Sequence, residues 1–286
     1  MKPSFSTRMP SRKLAAAVIG TCLSLPYAAT AANWSDTSIS YRYGEQFNEP
    51  AIAKDVSKDI VGFTHVSGHG YGQNFLNVDI LMSDKNDPAK GGGTGAQEVY
   101  VVYAHQLFMG KVLDRSLSFG PVKEVALTTG FDWNSKDTAF APKVRKILVG
   151  PTLKFDIPKG YFDVSLLFYK EWNNNGIVGK SVNFDSTYRI AMAWGVPFTV
   201  ASVPLSFEGF LNYTGEKGRD GFGVKTDPET WTDMFIMADV GQMLMGKPRT
   251  LRAGIGYEYI NNKFGAKEGS TGSETTTPMI KVQWHF

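Results

Sequence analysis

Leu205-Ser206-Phe207-Glu208-Gly209-Phe210-Leu211-Asn212-Tyr213 sets Leu205, Phe207, Leu211 and Tyr213 in one phase and Ser206, Glu208, Phe210 and Asn212 in the other. A period of two is that of a β-strand, whose successive side chains point to opposite faces. One face of this segment is therefore apolar and the other polar. The pattern recurs along the chain. In Trp34 to Tyr43, Thr37, Ile39, Tyr41 and Tyr43 oppose Ser38, Ser40 and Arg42; in Asn74 to Met82, Leu76, Val78, Ile80 and Met82 oppose Phe75, Asn77 and Asp79. Val125, Leu127, Phe131 and Trp133 oppose Glu124, Ala126, Thr128 and Asp132, and Phe162, Val164, Leu166, Phe168 and Trp172 oppose Asp163, Ser165, Tyr169 and Glu171. Tyr188, Ile190 and Met192 (in Phe184 to Trp194) oppose Asp185, Thr187 and Arg189, while Leu251, Ala253, Ile255, Tyr257 and Tyr259 oppose Arg252, Gly254, Gly256 and Glu258. Further strands are expected at 60–67, 98–108, 144–155, 232–240 and 277–286.

The start of the chain reads differently. Lys2, Arg8, Arg12 and Lys13 precede a mostly apolar stretch from Leu14 to Leu25, and Tyr27-Ala28-Ala29-Thr30-Ala31 supplies small residues for cleavage. This is the pattern of a secretory signal peptide, expected to be cut after Ala31, and it is too short to be a spanning helix. The only cysteine, Cys22, lies in that leader, in a poor lipoprotein context after Thr21. Residues 32–286 thus offer no disulfide and no thiolate metal site, and no cofactor is expected. The 30 Lys and Arg exceed the 27 Asp and Glu by three, but four of the basic residues belong to the leader. The remainder is close to neutral, which argues against a nucleic-acid binder.

After residue 31 no run of about 18 apolar residues exists, so a membrane protein built from this chain must be a closed barrel. About 12 strands are expected, an even number as single-chain bacterial barrels have. The fold class is all-β, a transmembrane antiparallel up-and-down barrel over 32–286 in the outer membrane of a Gram-negative bacterium. The connections at 83–97, 173–183, 215–229 and 261–276 are long, whereas Pro158-Lys159-Gly160 is short, the asymmetry expected of outer and periplasmic ends. A soluble sandwich would also alternate. Three features oppose it: charges are rare in the apolar phase, Trp34, Trp133, Trp172, Trp194, Tyr213 and Trp284 fall near expected strand ends, and the chain closes on an alternating strand ending in Phe286. Such a terminus resembles the signal read by barrel-assembly machinery.

If the apolar phase meets lipid, the other phase lines the lumen. It carries both charges: Arg42, Asp79, Glu124, Lys146, Asp163, Glu171, Asp185, Arg189, Glu208, Asp233, Asp239, Arg252, Glu258, Lys281 and His285. Several aromatics stand two residues from a polar or ionisable group on this face: Phe75 with Asn77 and Asp79, Tyr100 with Glu98, Tyr169 with Glu171, Phe210 with Glu208, Phe235 with Asp233. Together with Arg189 and Arg252 these are the candidate solute contacts. A ring offers a stacking face, and a carboxylate or Arg offers hydrogen bonds to hydroxyls, which suits a flat ring joined to a sugar. The competing reading is a narrow interior filled with mutually satisfied charges and packing aromatics.

At Leu117-Ser118-Phe119-Gly120-Pro121-Val122-Lys123-Glu124 the chain resembles the Ser-Phe-Gly-Pro-x-Lys-Glu segment of the nucleoside-specific channel family, the Tsx-type porins. Trp34 with its strand, Tyr71-Gly72-Gln73-Asn74-Phe75 to Asp79, and Phe286 resemble the vibrio outer-membrane branch of that family. The resemblance implies a monomeric 12-stranded barrel that admits nucleosides, surrounded by outer-membrane lipid and lipopolysaccharide, and in some members a docking surface for bacteriophage or colicin. Gly120-Pro121 itself reads as a turn entering a strand at Val122, with Pro where no ladder donor is needed.

His65-Val66-Ser67 resembles the His-x-Ser pair of outer-membrane phospholipase, an alternative enzymatic reading that also requires a residue orienting the histidine and an oxyanion donor. A structural barrel serving as a phage receptor is the other alternative. His65 and His69 lie about 13 Å apart on a strand, too far for one metal ion. Gly179-Lys180-Ser181 has Asn174 where a phosphate loop needs glycine, so it reads as a polar loop. Lys143, Arg145 and Lys146 would meet lipopolysaccharide phosphates if they stood at the outer rim, but read first as a solvated charge cluster.

Overall fold

The structure, a computed structural model, describes residues 32–286; the expected leader and its cleavage site fall outside the described residues. Twelve long strands follow one another as an antiparallel meander: β1 (Trp34–Phe47), β2 (Val56–His69), β3 (Gly72–Ser83), β4 (Gln97–Phe108), β5 (Val122–Lys136), β6 (Arg145–Phe155), β7 (Tyr161–Asn175), β9 (Thr187–Val200), β10 (Val203–Thr214), β11 (Glu229–Asp239), β12 (Leu251–Asn261) and β13 (Thr275–His285). A short strand, β8 (Lys180–Asn183), pairs only with the end of β7. Each long strand pairs with its two neighbours, and β1 pairs with β13, so the twelve long strands close on themselves and only β8 keeps a free edge. Closure lets the long strands answer one another's donors and acceptors without water, the condition for a sheet to stand in hydrocarbon.

The phases fall as the pattern requires. Ser38, Asp132, Asp163, Glu171, Arg189 and Asp233 point inward and are buried, whereas Ile39, Leu166, Phe168, Ile255, Ile280 and Val282 point outward and are bare. Ile255 is 67 % exposed and Leu166 56 %, values that a water-facing wall would not repeat around its whole circumference. Trp133 and Trp172 stand outward near the ends of β5 and β7, each beneath a cation: the Arg145 guanidinium and the Lys170 ammonium lie 5.7 Å from the respective ring centres. Such pairs suit a membrane–water interface.

Both described termini lie at one end of the barrel, here called proximal. There β2 and β3 are joined by Gly70 and Tyr71, and β9 and β10 by Ala201 and Ser202, whose φ angles of 46° and 69° are those of a tight hairpin. Two proximal connections carry helices that the alternating pattern does not show. One carries helix α1 (Met109–Val112) and the other helix α2 (Val240–Met245). The segment 184–194 also differs from expectation. Its strand begins at Thr187 and runs on to Val200, because Asp185 belongs to a connection in which its amide bonds the Lys217 carbonyl (2.9 Å). Asp185 is thus not a strand residue of the lumen wall. Trp34 shares the inward phase and packs on Gly68, and Trp194 lies midway along β9, so neither belongs to an outer aromatic belt.

Candidate functional site: the barrel lumen

The inner wall is a continuous set of paired charges. Arg42 on β1 reaches Asp79 on β3 and Asp233 on β11 (3.2 Å to the latter). Lys146 on β6 lies 3.5 Å from Asp132 on β5, and Arg189 on β9 approaches the same carboxylate at 3.6 Å. Arg252 on β12 binds Glu208 on β10 at 2.6 Å, with Lys281 on β13 at 3.4 Å from the other oxygen. Each ion alone would cost several kcal/mol to remove from water, so mutual pairing is what allows them inside.

Aromatic rings join this network. Tyr100 on β4 donates to Asp132 (3.1 Å) and accepts from Lys146 (2.8 Å). Tyr169 donates to Glu171 (2.6 Å) beneath the Arg189 guanidinium, 4.6 Å from its ring. The Lys281 ammonium lies 4.8 Å from the Phe235 ring. Tyr100 also meets Trp231 on β11 edge to face, with ring centres 5.9 Å apart, and Trp231 meets Phe210 on β10 at 5.4 Å. β11 is six strands from β4 in either direction around the barrel, so the Tyr100–Trp231 contact crosses the lumen. Two donors near these rings have no protein partner: Trp231 Nε1 and Arg189 Nη2.

The two ends differ. At the distal mouth Glu49, in the connection after β1, is buried against Lys58, Lys263 and Lys136, the latter two at 3.3 Å, and Lys136 also holds Asp87 (2.6 Å). At the proximal mouth a cavity of about 580 Å³ opens among Asp36, Lys159, Ser206, Asp239, Arg252 and His285. The His285 ring bonds Asp36 (2.9 Å), and the Asp239 carboxylate accepts the Gln242 amide (2.9 Å) at the start of α2.

The twelve candidate contacts named from sequence all lie in the inward phase, but they do not form one site. Tyr100, Tyr169, Glu171, Arg189, Phe210 and Asp233 gather around the crossing rings. Glu208 and Arg252 sit toward the proximal cavity, Glu98 is bonded by Asn134, and Phe75, 38 % exposed, stands near the proximal end of β3. Sequence reading missed Trp231, having started its strand one residue later. The missing signal was its phase, two residues before Asp233.

The alternative motifs are not assembled. His65 Nδ1 pairs with Thr37 Oγ1 (2.8 Å), while the Ser67 hydroxyl is approached by Asn74 Nδ2 at 3.5 Å, and Asn74 in turn meets His105 (3.0 Å). The order serine, asparagine, histidine gives Ser67 no adjacent base. Lys143, Arg145 and Lys146 are split by the pleat, since Lys146 points into the lumen and the Arg145 side chain bonds the carbonyls of Asn134 and Val144.

The chain matches no known family and no curated protein. Among solved structures it is similar to the KdgM porin (11% identity, TM-score 0.45, covering 87% of this chain and 99% of that one) and to the NanC porin (12%, 0.46, 86% and 98%). It is also similar to the translocator domain of the autotransporter NalP from Neisseria meningitidis (12%, 0.43, 96% and 97%). The assignment as a closed 12-stranded barrel rests on this chain's own pairings.

Proposed function

We propose that this chain is an outer-membrane channel through which nucleosides, or similar small solutes joining a flat ring to hydroxyls, diffuse passively. The proximal end then faces the periplasm. The observation that carries the reading is the ring contact across the lumen between Tyr100 and Trp231. An edge-to-face pair contributes about 0.5–1.5 kcal/mol, and stacking a base on an aromatic contributes about 1–3 kcal/mol. A planar solute can therefore part the rings and replace what it breaks. The unpartnered donors of Trp231 and Arg189 stand ready for its carbonyl and hydroxyl oxygens. Weak contacts in series let the solute leave as well as enter.

Single-channel recording in planar bilayers tests this. Uridine or adenosine should reduce the current, whereas ribose at the same concentration should not. In Trp231→Ala the nucleoside block should weaken roughly 5- to 150-fold, the range that losing ~1–3 kcal/mol implies. A current blind to every nucleoside would leave the barrel and remove the specificity.

A second use, as a docking surface for phage or colicin, is supported by bare apolar residues on the distal connections: Ile177, Phe140 and Phe222, the last two 6.3 Å apart between rings. Replacing them with serine should abolish adsorption while leaving conductance intact.

A further inference from the structure

The segment Leu117 to Glu124 takes no part in the crossing-ring site. It ends the proximal connection between β4 and β5. Phe119 and Val122 exchange backbone hydrogen bonds (3.0 and 2.9 Å) around Gly120 and Pro121, and the φ of 49° at Gly120 is one that glycine adopts without strain. Glu124 Oε1 accepts the Gly110 amide (3.0 Å), and the Gly110 carbonyl accepts the Arg115 amide (3.0 Å), so α1 folds back onto the start of β5.

Between these parts lies a cavity of about 400 Å³ whose cationic lining is Lys111, Arg115 and Lys123. Two carboxylates share it, Asp114 and Glu124, and the latter is engaged by the amides of Gly110 and Val125. None of the three cations has an ion-pair partner among the described residues. The lumen cations Arg42, Lys146, Lys154 and Arg252, by contrast, each meet a carboxylate. Beside the lining residues Lys111, Asp114 and Leu117 in the same connection, Val112, Leu113 and Phe119 are 44 %, 48 % and 58 % exposed. Lys123 is exposed and sits where the register of β5 against β6 slips, between Val122 and Glu124.

We propose that this cavity holds the phosphate of an anionic phospholipid in the proximal leaflet, with Lys111, Arg115 and Lys123 as its cationic ligands and Val112, Leu113 and Phe119 against the acyl chains. Basic residues beside bare apolar ones are the combination by which a protein surface recognises an anionic lipid interface. Free phosphate would gain nothing from the apolar three. The proposal rests on the barrel crossing a membrane, not on which solute it passes.

The test uses the purified barrel in neutral-detergent micelles, with phosphatidylglycerol, phosphatidylcholine or inorganic phosphate added and retained lipid read by native mass spectrometry. Phosphatidylglycerol should be retained over phosphatidylcholine, and excess inorganic phosphate should not displace it. Each neutralised cation should weaken retention about five-fold, so Lys111→Gln with Arg115→Gln and Lys123→Gln should lose roughly a hundred-fold. Val112→Ser with Leu113→Ser and Phe119→Ser should weaken both lipids and keep the preference. Lys85→Gln, exposed on the distal β3–β4 connection, should change nothing. Heat-modifiable gel migration checks folding, and if the triple variant fails it, Lys111→Gln alone must show the five-fold loss. Unchanged retention in the cation variants, or displacement by inorganic phosphate, overturns the proposal. Failure of the wild-type barrel to enter lipid vesicles would instead overturn the membrane reading beneath it.

Discussion

Glu49 is a single carboxylate serving three ammonium groups, and the distal mouth is built on it. Burial alone would raise its pKa, but the charges of Lys263, Lys58 and Lys136 and the Lys58 hydrogen bond outweigh burial and hold it well below the usual carboxylate range. Lys263, buried and facing Lys58 as well as Glu49, is itself pushed down, so pairing and like-charge repulsion are divided unequally among the three. The sign follows from the depressed carboxyl. Its stabilisation is complete above the unfolded value of about 4.3 and is lost only as pH falls through the lower folded value. Hydrogen exchange of residues 48–55 should therefore stay slow through mildly acidic conditions and quicken only below the ordinary carboxylate range. Glu49→Gln should bring the fast exchange to neutral pH and destabilise the barrel by about 3–5 kcal/mol, because it leaves buried cations unpaired. Unchanged exchange in that variant would show that the mouth is held by something else.

At the scale of the element, period two carried nearly everything that the sequence made legible. The twelve spanning strands and their inward and outward faces follow from alternation, since a slip of one residue would expose every charge to lipid. What alternation could not show were features that break it. The helices α1 and α2 lie in connections to which alternation assigns no element, and Met243 and Leu244 on α2 remain bare, so no burial pattern marked them. Strand β8 is four residues long, too short for a period to register. Grouping within the lumen was equally hidden. Tyr100 and Trp231 are 131 positions apart, and only closure of the sheet brings them together. The phase assignment itself is testable on β12. Ile255→Arg, on the outward face, should cost about 2–4 kcal/mol in vesicle unfolding titrations if it lies near the bilayer midplane. A cost near zero would mean that this face meets water.

At the scale of the whole molecule, charge balance limits what can pass. Arg42, Lys146, Lys154, Arg189, Arg252 and Lys281 share Asp79, Asp132, Asp163, Glu208 and Asp233, with Glu258 opposite Asp233 on β12, so the lumen presents dipoles more than net charge. A field summed from such pairs falls off quickly and steers ions of neither sign. An ion entering must shed water worth several kcal/mol without a free counter-charge to receive it. On the proposed reading, a neutral solute with a stacking face and hydroxyls sheds less and regains hydrogen bonds from Trp231 and Arg189. The barrel should therefore show small conductance and a reversal potential near zero in a potassium chloride gradient. In liposome uptake, nucleosides should pass more than roughly a hundred-fold faster than their monophosphates, the factor that ~3 kcal/mol of unreturned solvation implies. Arg252→Ala with Lys281→Ala would leave Glu208 uncompensated and tilt the pore toward cations. If the unmodified barrel already prefers one sign strongly, or takes up monophosphates as readily as nucleosides, paired charges are not what selects its solute.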